Sequence, residues 1–109
     1  MQRMAMVIGL KEEKTSEYRQ LHAAAWSGVL DCLSRSNIRN YSIYLKEPEN
    51  LLFSYFEYHG TDFASDSRAI AADPTTQNWW THTDPCQEPL VTRKPGEWWA
   101  SMEEVFHMD

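Results

Sequence analysis

The chain has 109 residues, of which 42% are hydrophobic and 24% charged, with a formal net charge of −6 at pH 7. The length fits one domain over residues 1–109, and the hydrophobic content is that of a globular protein, which excludes a disordered chain. The acidic balance excludes nucleic acid and anionic membranes as expected partners, because both are bound through clustered Lys and Arg.

The first half of the chain predicts a strand, a long helix and a hairpin. The short apolar run of residues 4–10 predicts a buried strand. A helical pattern begins in the charged cluster that follows and predicts one helix over residues 11–33, with Asn37 as its stop. Two β-rich segments, residues 40–46 and 51–60, flank a turn that contains a proline and predict a hairpin.

The second half predicts two more helices, a loop and a final strand. Thr61 or Asp62 is the expected N-cap of a second helix. A proline directly after Asp73 is typical of a helix start and predicts a short third helix, which carries the Trp-Trp pair. Two prolines and a glycine make residues 86–97 a loop, and residues 98–108 are expected to be the last strand.

The predicted order β-α-β-β-α-β is that of the ferredoxin-like α+β fold, a four-stranded antiparallel sheet with helices on one face. The other face would be left bare, and many of the 14 aromatic residues (five Trp, five Tyr and four Phe) are candidates for it. A large exposed aromatic face needs covering, and a second copy of the chain is the simplest cover. We therefore expect a homodimer whose sheets face each other.

Common motifs for cofactors, metals and acyl transfer are absent. The chain has no GxGxxG, GxxxxGK[ST] or GxSxG, and its histidines and cysteines show no metal-ligand spacing, so we expect neither a cofactor nor a metal. Cys32 and Cys86 form no CxxC and are expected to be free thiols in a reducing compartment. With no leader and no apolar run of about 18 residues, we expect a cytoplasmic protein that does not bind membranes.

The first predicted helix carries the most suggestive side chains. Tyr18, His22 and Trp26 stand four residues apart and project from roughly one side of it. Imidazole can give and take protons near neutral pH, tyrosine can orient or relay them, and tryptophan suits the apolar face of a sugar. The same pattern is also typical of a half-buried histidine packed against core aromatics, so the residues alone leave both interpretations open.

Four segments together resemble the L-rhamnose mutarotase family: EYRQLHAAAW, NYSIYLKEPENLLFSYFE, TQNWWTHTD and the terminal EEVF. The resemblance implies a dimeric α+β barrel that binds a monosaccharide and interconverts the α and β anomers of L-rhamnose. It implies His22 as the catalytic residue. The residues that it implies for substrate binding are Tyr18, Tyr41, Trp79 and Trp80.

The chain departs from the better-known bacterial pattern near these residues. Ala23 and Ala24 stand where that pattern has Asn-Pro, Ser27 stands where it has a proline, and the longer last loop carries Trp98 and Trp99. L-Fucose, another 6-deoxy-L-hexose, is therefore an alternative substrate. A non-catalytic sugar-binding module and a cofactor-free oxygenase on the same scaffold are alternatives of other classes.

Mutarotation opens the pyranose ring and recloses it on the other face of the anomeric carbon. A proton must reach the ring oxygen, and another must leave the anomeric hydroxyl. We expect His22 to be the acid that protonates the ring oxygen and takes the proton back on closure. Water, Tyr18 or a carboxylate such as Glu104 is the expected second proton acceptor, and the sequence does not choose among them.

Overall fold

The computed structural model describes all 109 residues and follows the predicted α+β order. Strand β1 (Gln2–Leu10) pairs antiparallel with β3 (Leu51–Tyr58), which in turn pairs with β2 (Ile38–Lys46). The other edge of β1 is occupied by two short strands, β4 (Gln87–Glu88) and β5 (Ala100–Met102). The sheet order β2-β3-β1, with β4 and β5 beyond β1, is the ferredoxin-like arrangement, so the predicted fold class is confirmed.

The four helices are α1 (Thr15–Ala23), α2 (Ser27–Arg35), α3 (Phe63–Ala72) and α4 (Pro74–Thr83), with single 3₁₀ turns at Glu12–Lys14 and Asp84–Cys86. Residues of α1, α2 and α3 pack on the same face of this curled sheet, and α4 packs against α2 and α3. Each helix is about three turns long or shorter, and none has the length and apolar character needed to cross a membrane.

The prediction of one helix over residues 11–33 is wrong, because the chain breaks between α1 and α2. Trp26 is extended, with φ −70° and ψ 132°, and acts as the N-cap of α2. Its ring packs edge-on against Trp79 of α4, with ring centroids 5.2 Å apart. Gly28 then lets α2 lie close to α4, where a Cβ would come within 2.9 Å of a threonine methyl. Tertiary packing between aromatic rings therefore overrides the local helical periodicity.

The helix starts predicted for the second half are confirmed. The Asp62 carboxylate accepts a hydrogen bond from the backbone N–H of Ser65 at 3.1 Å and caps α3. The Asp73 carboxylate accepts from the N–H of Thr76 at 2.9 Å and caps α4, whose first residue is proline. The Asp73 cap fixes where α4 begins, and therefore where its Trp-Trp pair lies.

The end of the chain differs from the prediction in two places. Within the predicted loop of residues 86–97, Gln87–Glu88 pairs with the edge of β1. The predicted strand of residues 98–108 is reduced to Ala100–Met102, because the residues after it leave the sheet and are exposed. Both tryptophans of this segment therefore precede the strand and do not alternate across it.

The buried face of the sheet holds the core. Along β3, the alternate residues Leu52, Ser54, Phe56 and Tyr58 are each at most 5% exposed. One cluster forms around Leu52 with Tyr18 of α1, and a second forms around Phe56 and Tyr58 under α3. The core thus ties α1 to one end of the sheet and α3 to the other.

The opposite face, which we call the open face, is not covered by any part of the chain. Two rows of side chains cross it in register, Tyr44-Phe53-Val7-Ala100 and Ser42-Tyr55-Ala5-Met102. Tyr44 is 66% exposed and Met102 is 39% exposed. The expectation of a bare face with aromatic side chains is therefore confirmed within the single chain.

Candidate active site

The candidate site is built around two stacked rings on α1. Tyr18 and His22 lie one helical turn apart, with ring centroids 4.2 Å apart and planes inclined by 30°. Nδ1 of His22 lies 2.9 Å from the backbone oxygen of Tyr18. Because a carbonyl oxygen only accepts, Nδ1 carries the hydrogen and donates it. In the neutral imidazole Nε2 then keeps its lone pair, and no group of the chain hydrogen-bonds to it.

Trp79 holds the histidine from α4. Its ring meets that of His22 edge-on, with centroids 5.3 Å apart, and it is only 7% exposed because Trp26 packs on it as well. Trp80 is 37% exposed and makes no ring contact with either residue. Adjacent helix residues point about 100° apart. The structure therefore brings Trp79 to His22 and leaves Trp80 at the surface beside it.

Tyr41 reaches the helix side of the sheet through a β-bulge in β2. The ladder skips between Arg39 and Ser42, so two residues of β2 oppose the single Phe56 of β3. Asn40, the first of the two, has φ +50°, which permits the bulge. The ring of Tyr41 then packs against Phe56 at 5.4 Å. The bulge thereby points Tyr41 toward the space over the sheet that Tyr18 also faces.

The protonation states of the three groups follow from burial. Burial lowers the pKa of His22 below its ordinary 6.5, and the hydrogen bond to the Tyr18 carbonyl opposes this only in part. Burial also raises the pKa of Tyr18, with the nearby Tyr41 adding to the effect. Tyr41 is 41% exposed as a residue, yet the protein around its hydroxyl raises its pKa to about 12. At neutral pH the site therefore holds a neutral imidazole and two protonated phenols.

Gln87 is a site residue that the sequence interpretation missed. It is 5% exposed, and its side-chain N–H donates to the Tyr18 hydroxyl at 3.1 Å. Its side-chain oxygen accepts from the indole N–H of Trp98 at 2.7 Å. Gln87 therefore links Tyr18 to the last loop. Its only sequence signal is a polar side chain at the start of the predicted last loop, which is too weak to single it out.

The carboxylate considered as a second proton acceptor lies elsewhere. Glu104 accepts from Arg3 Nε at 2.6 Å, and Arg3 belongs to the open face, across the sheet from His22. Asp84, just after α4, is close enough for its charge to raise the pKa of Tyr18. Burial raises the pKa of Asp84 itself. Within one chain, the structure therefore separates Glu104 from the candidate site.

The chain contains no group of three His, Cys, Asp or Glu side chains placed to hold a metal ion. Cys32 and Cys86 are both buried free thiols, and the thiol of Cys86 donates to Glu17 at 3.1 Å. Two open surface clefts, one between α2 and α3 and one in the loop of residues 91–98, are not lined by His22 or Tyr18. The groups at the candidate site, the imidazole of His22 and the hydroxyl of Tyr18, are suited to proton transfer and hydrogen bonding.

The chain matches a protein-family model described as L-rhamnose mutarotase over residues 3–108. It is 32% identical to an L-rhamnose mutarotase of Phocaeicola vulgatus and 30% identical to one of Bacteroides thetaiotaomicron, in both cases over the full length of both chains. An L-rhamnose mutarotase of Bacillus subtilis is 28% identical, also over both full lengths.

Two solved structures share the fold. The crystal structure of an L-rhamnose mutarotase from Formosa agariphila superposes with a TM-score of 0.76 at 22% identity and covers both chains completely. The tetracenomycin F2 cyclase of Streptomyces glaucescens superposes with a TM-score of 0.74 at 12% identity, over 100% of this chain and 98% of the cyclase. At these identities the two structures establish the architecture alone.

The burial of His22 predicts its titration. In the folded protein the midpoint should lie below 6.5, whereas the chain unfolded in urea should titrate near 6.5. Because the unfolded state binds this proton more readily, the contribution of His22 to stability is full above the unfolded pKa and is lost as the pH falls through the folded pKa. NMR titration of the His22 Hε1 resonance, assigned with His22→Gln, measures this. A folded-state midpoint above 6.5 would contradict the burial argument.

Proposed function

The chain belongs to the L-rhamnose mutarotase family of isomerases, and we propose that it interconverts the α and β anomers of L-rhamnose. The observation that carries the proposal is the unpaired Nε2 of a neutral His22, beside the protonated hydroxyl of Tyr18. A base and a hydrogen-bond donor side by side are what opening and closing a hemiacetal require. Neither group needs a cofactor for this.

The lowered pKa changes the order of proton transfers expected from the sequence. A neutral His22 acts first as a base, so Nε2 takes the proton from the anomeric hydroxyl. The anomeric oxygen then forms the C=O bond, and the bond between the anomeric carbon and the ring oxygen breaks, with its electron pair moving to the ring oxygen. The imidazolium returns its proton to that oxygen. Rotation about the C1–C2 bond and the reverse steps give the other anomer.

In this scheme one histidine serves as both base and acid, and no second proton acceptor is needed. The two oxygens involved are bonded to the same carbon, so a single Nε2 can serve both. Tyr18 and Tyr41 remain protonated and can donate hydrogen bonds to the sugar. We propose that Tyr18 stabilises the charge that develops on the ring oxygen before the proton arrives. Trp79 fixes His22, and the exposed Trp80 offers a face to the apolar side of the sugar.

The proposal extends to the sugar and the cellular compartment. We take L-rhamnose as the substrate because the curated relatives carry that name, while the changed residues after His22 keep L-fucose as the sugar to test beside it. We place the protein in the cytoplasm, because both of its cysteines are buried free thiols.

Replacing His22 should abolish most of the activity. Saturation-transfer NMR on the anomeric protons of L-rhamnose and L-fucose measures exchange between anomers directly. We expect wild-type protein to accelerate exchange of L-rhamnose more than that of L-fucose, and His22→Gln to lose about 100-fold or more, the range of positioned acid–base catalysis. His59→Gln is the matched control, since His59 is exposed beyond the end of β3.

Near-normal exchange by folded His22→Gln protein would refute the catalytic assignment. Faster exchange of L-fucose than of L-rhamnose would reassign the sugar. Binding of either sugar without acceleration by the wild-type protein would favour a non-catalytic binding module.

We also propose that two copies of the chain associate through their open faces. Tyr44, which is 66% exposed, and the half-buried rings of Phe53 and Tyr55 lie on neighbouring strands, on the face of the sheet that no helix covers. A contact of this kind is self-complementary under a twofold axis. The exposed tail also carries large apolar side chains, since Phe106 is 79% exposed in the single chain. Both features leave apolar area for a partner copy to bury.

A charge on the open face should therefore separate the copies. Sedimentation equilibrium of the wild-type protein should give twice the 12.8 kDa of the chain. Tyr44→Asp places a carboxylate among apolar groups and should shift the equilibrium toward the monomer, because burying an unpaired charge is costly. Val91→Asp, at a loop residue that is 97% exposed, is the control and should remain dimeric. A wild-type monomer at high protein concentration would contradict this assembly.

A further inference from the structure

We propose that Gln87 and Trp98 are positioning residues that turn the hydroxyl hydrogen of Tyr18 toward the bound sugar. The inference rests on the proposed function, because it assigns a direction to a hydrogen bond that the reaction uses. It also gives a role to Trp98, whose loop is one of the departures noted in the sequence.

The direction follows from the chemistry of the three groups. An indole N–H donates and cannot accept. The group of Gln87 that meets Trp98 at 2.7 Å must therefore be the amide oxygen. The amide nitrogen is then the atom that faces Tyr18 at 3.1 Å, and it donates. The reverse orientation of the amide would set two donors against each other, so Trp98 fixes the polarity of Gln87.

The hydrogen bond from Gln87 in turn limits the direction of the Tyr18 hydroxyl hydrogen. The Tyr18 oxygen uses a lone pair to accept from Gln87, so its own hydrogen cannot lie along that bond. No other group of the chain accepts this hydrogen, although Tyr18 is only 4% exposed. A buried donor without an acceptor is unfavourable unless a ligand supplies one. Because the ring of His22 stacks on that of Tyr18, a ligand that accepts this hydrogen would lie beside His22.

Pairing of β4 and β5 with β1 holds Gln87 and Trp98 in place. Gln87 lies in β4, which pairs with Leu10, and Trp98 lies two residues before Ala100, where β5 pairs with the same strand β1. Glu97, which directly precedes Trp98, is also fixed, since its carboxylate accepts from the Ser101 hydroxyl at 2.7 Å. Both ends of the loop are therefore anchored to the edge of β1. The indole can orient Gln87 without depending on the loop between them.

Gln87→Glu tests the direction at nearly constant shape. A carboxylate accepts from both neighbours, so Trp98 keeps its bond while the Tyr18 hydrogen turns away from the sugar. We expect kcat/KM for L-rhamnose anomer exchange to fall about tenfold, the loss of one neutral hydrogen bond. Gln87→Met removes both bonds without adding a charge and serves if Gln87→Glu does not fold. Trp98→Phe keeps a ring but frees the amide to reverse, so a smaller loss is expected.

A double-mutant cycle with Tyr18→Phe separates positioning from general damage. If Gln87 acts through the Tyr18 hydroxyl, Gln87→Glu should cause little further loss once that hydroxyl is gone. Equal losses in both backgrounds would overturn the proposal while leaving the mutarotase function intact. No exchange activity in the wild-type protein would instead overturn the proposed function.

The hydrogen bond between Trp98 and Gln87 can also be tested by NMR, without measuring activity. The protein has five Trp residues and therefore five indole N–H resonances. The Trp98 resonance is identified as the one that is missing from Trp98→Phe. It should shift upfield in Gln87→Met, because the indole N–H loses its acceptor, and should remain downfield in Gln87→Glu. An unchanged resonance in Gln87→Met would contradict the hydrogen bond on which the proposal depends.

Discussion

The hydrogen bond from His22 Nδ1 to the carbonyl of Tyr18 is the constraint on which the site depends. It lies within a single helical turn, so α1 alone fixes the tautomer and leaves Nε2 free to act as a base. Burial then keeps this histidine neutral and the neighbouring phenol protonated. One turn of α1 thus places a free imidazole lone pair beside a protonated phenol.

The fold serves this turn in two ways. On the helix side, the ring of His22 packs between Tyr18 of α1 and Trp79 of α4. The bulge in β2 directs Tyr41 toward the same space. On the far side, the sheet exposes the ring of Tyr44, and no part of the chain covers that face. The site and the proposed dimer contact therefore lie on opposite faces of one sheet. Tyr44→Asp would therefore test the proposed assembly without altering a contact of His22 or Tyr18.

What could be read from the sequence was local. The caps at Asp62 and Asp73 and the hairpin depend on neighbouring residues, and the structure shows them as predicted. The break between α1 and α2 could not be predicted, because it is driven by a ring of α4 that lies far away in sequence. The same limit applies to the site. Helical spacing joined Tyr18 to His22, whereas Gln87 enters only through strand pairing at the edge of β1.

The neutral resting state of His22 is the central claim, and the pH dependence of kcat/KM for L-rhamnose anomer exchange tests it most directly. That quantity reports the ionisation of the free enzyme. If Nε2 must begin as a base, activity should rise with pH through a midpoint below 6.5 and then stay level through neutral pH. Activity that falls as the pH rises from about 5 to about 7 would mean that the imidazolium is the active form, and would contradict the account.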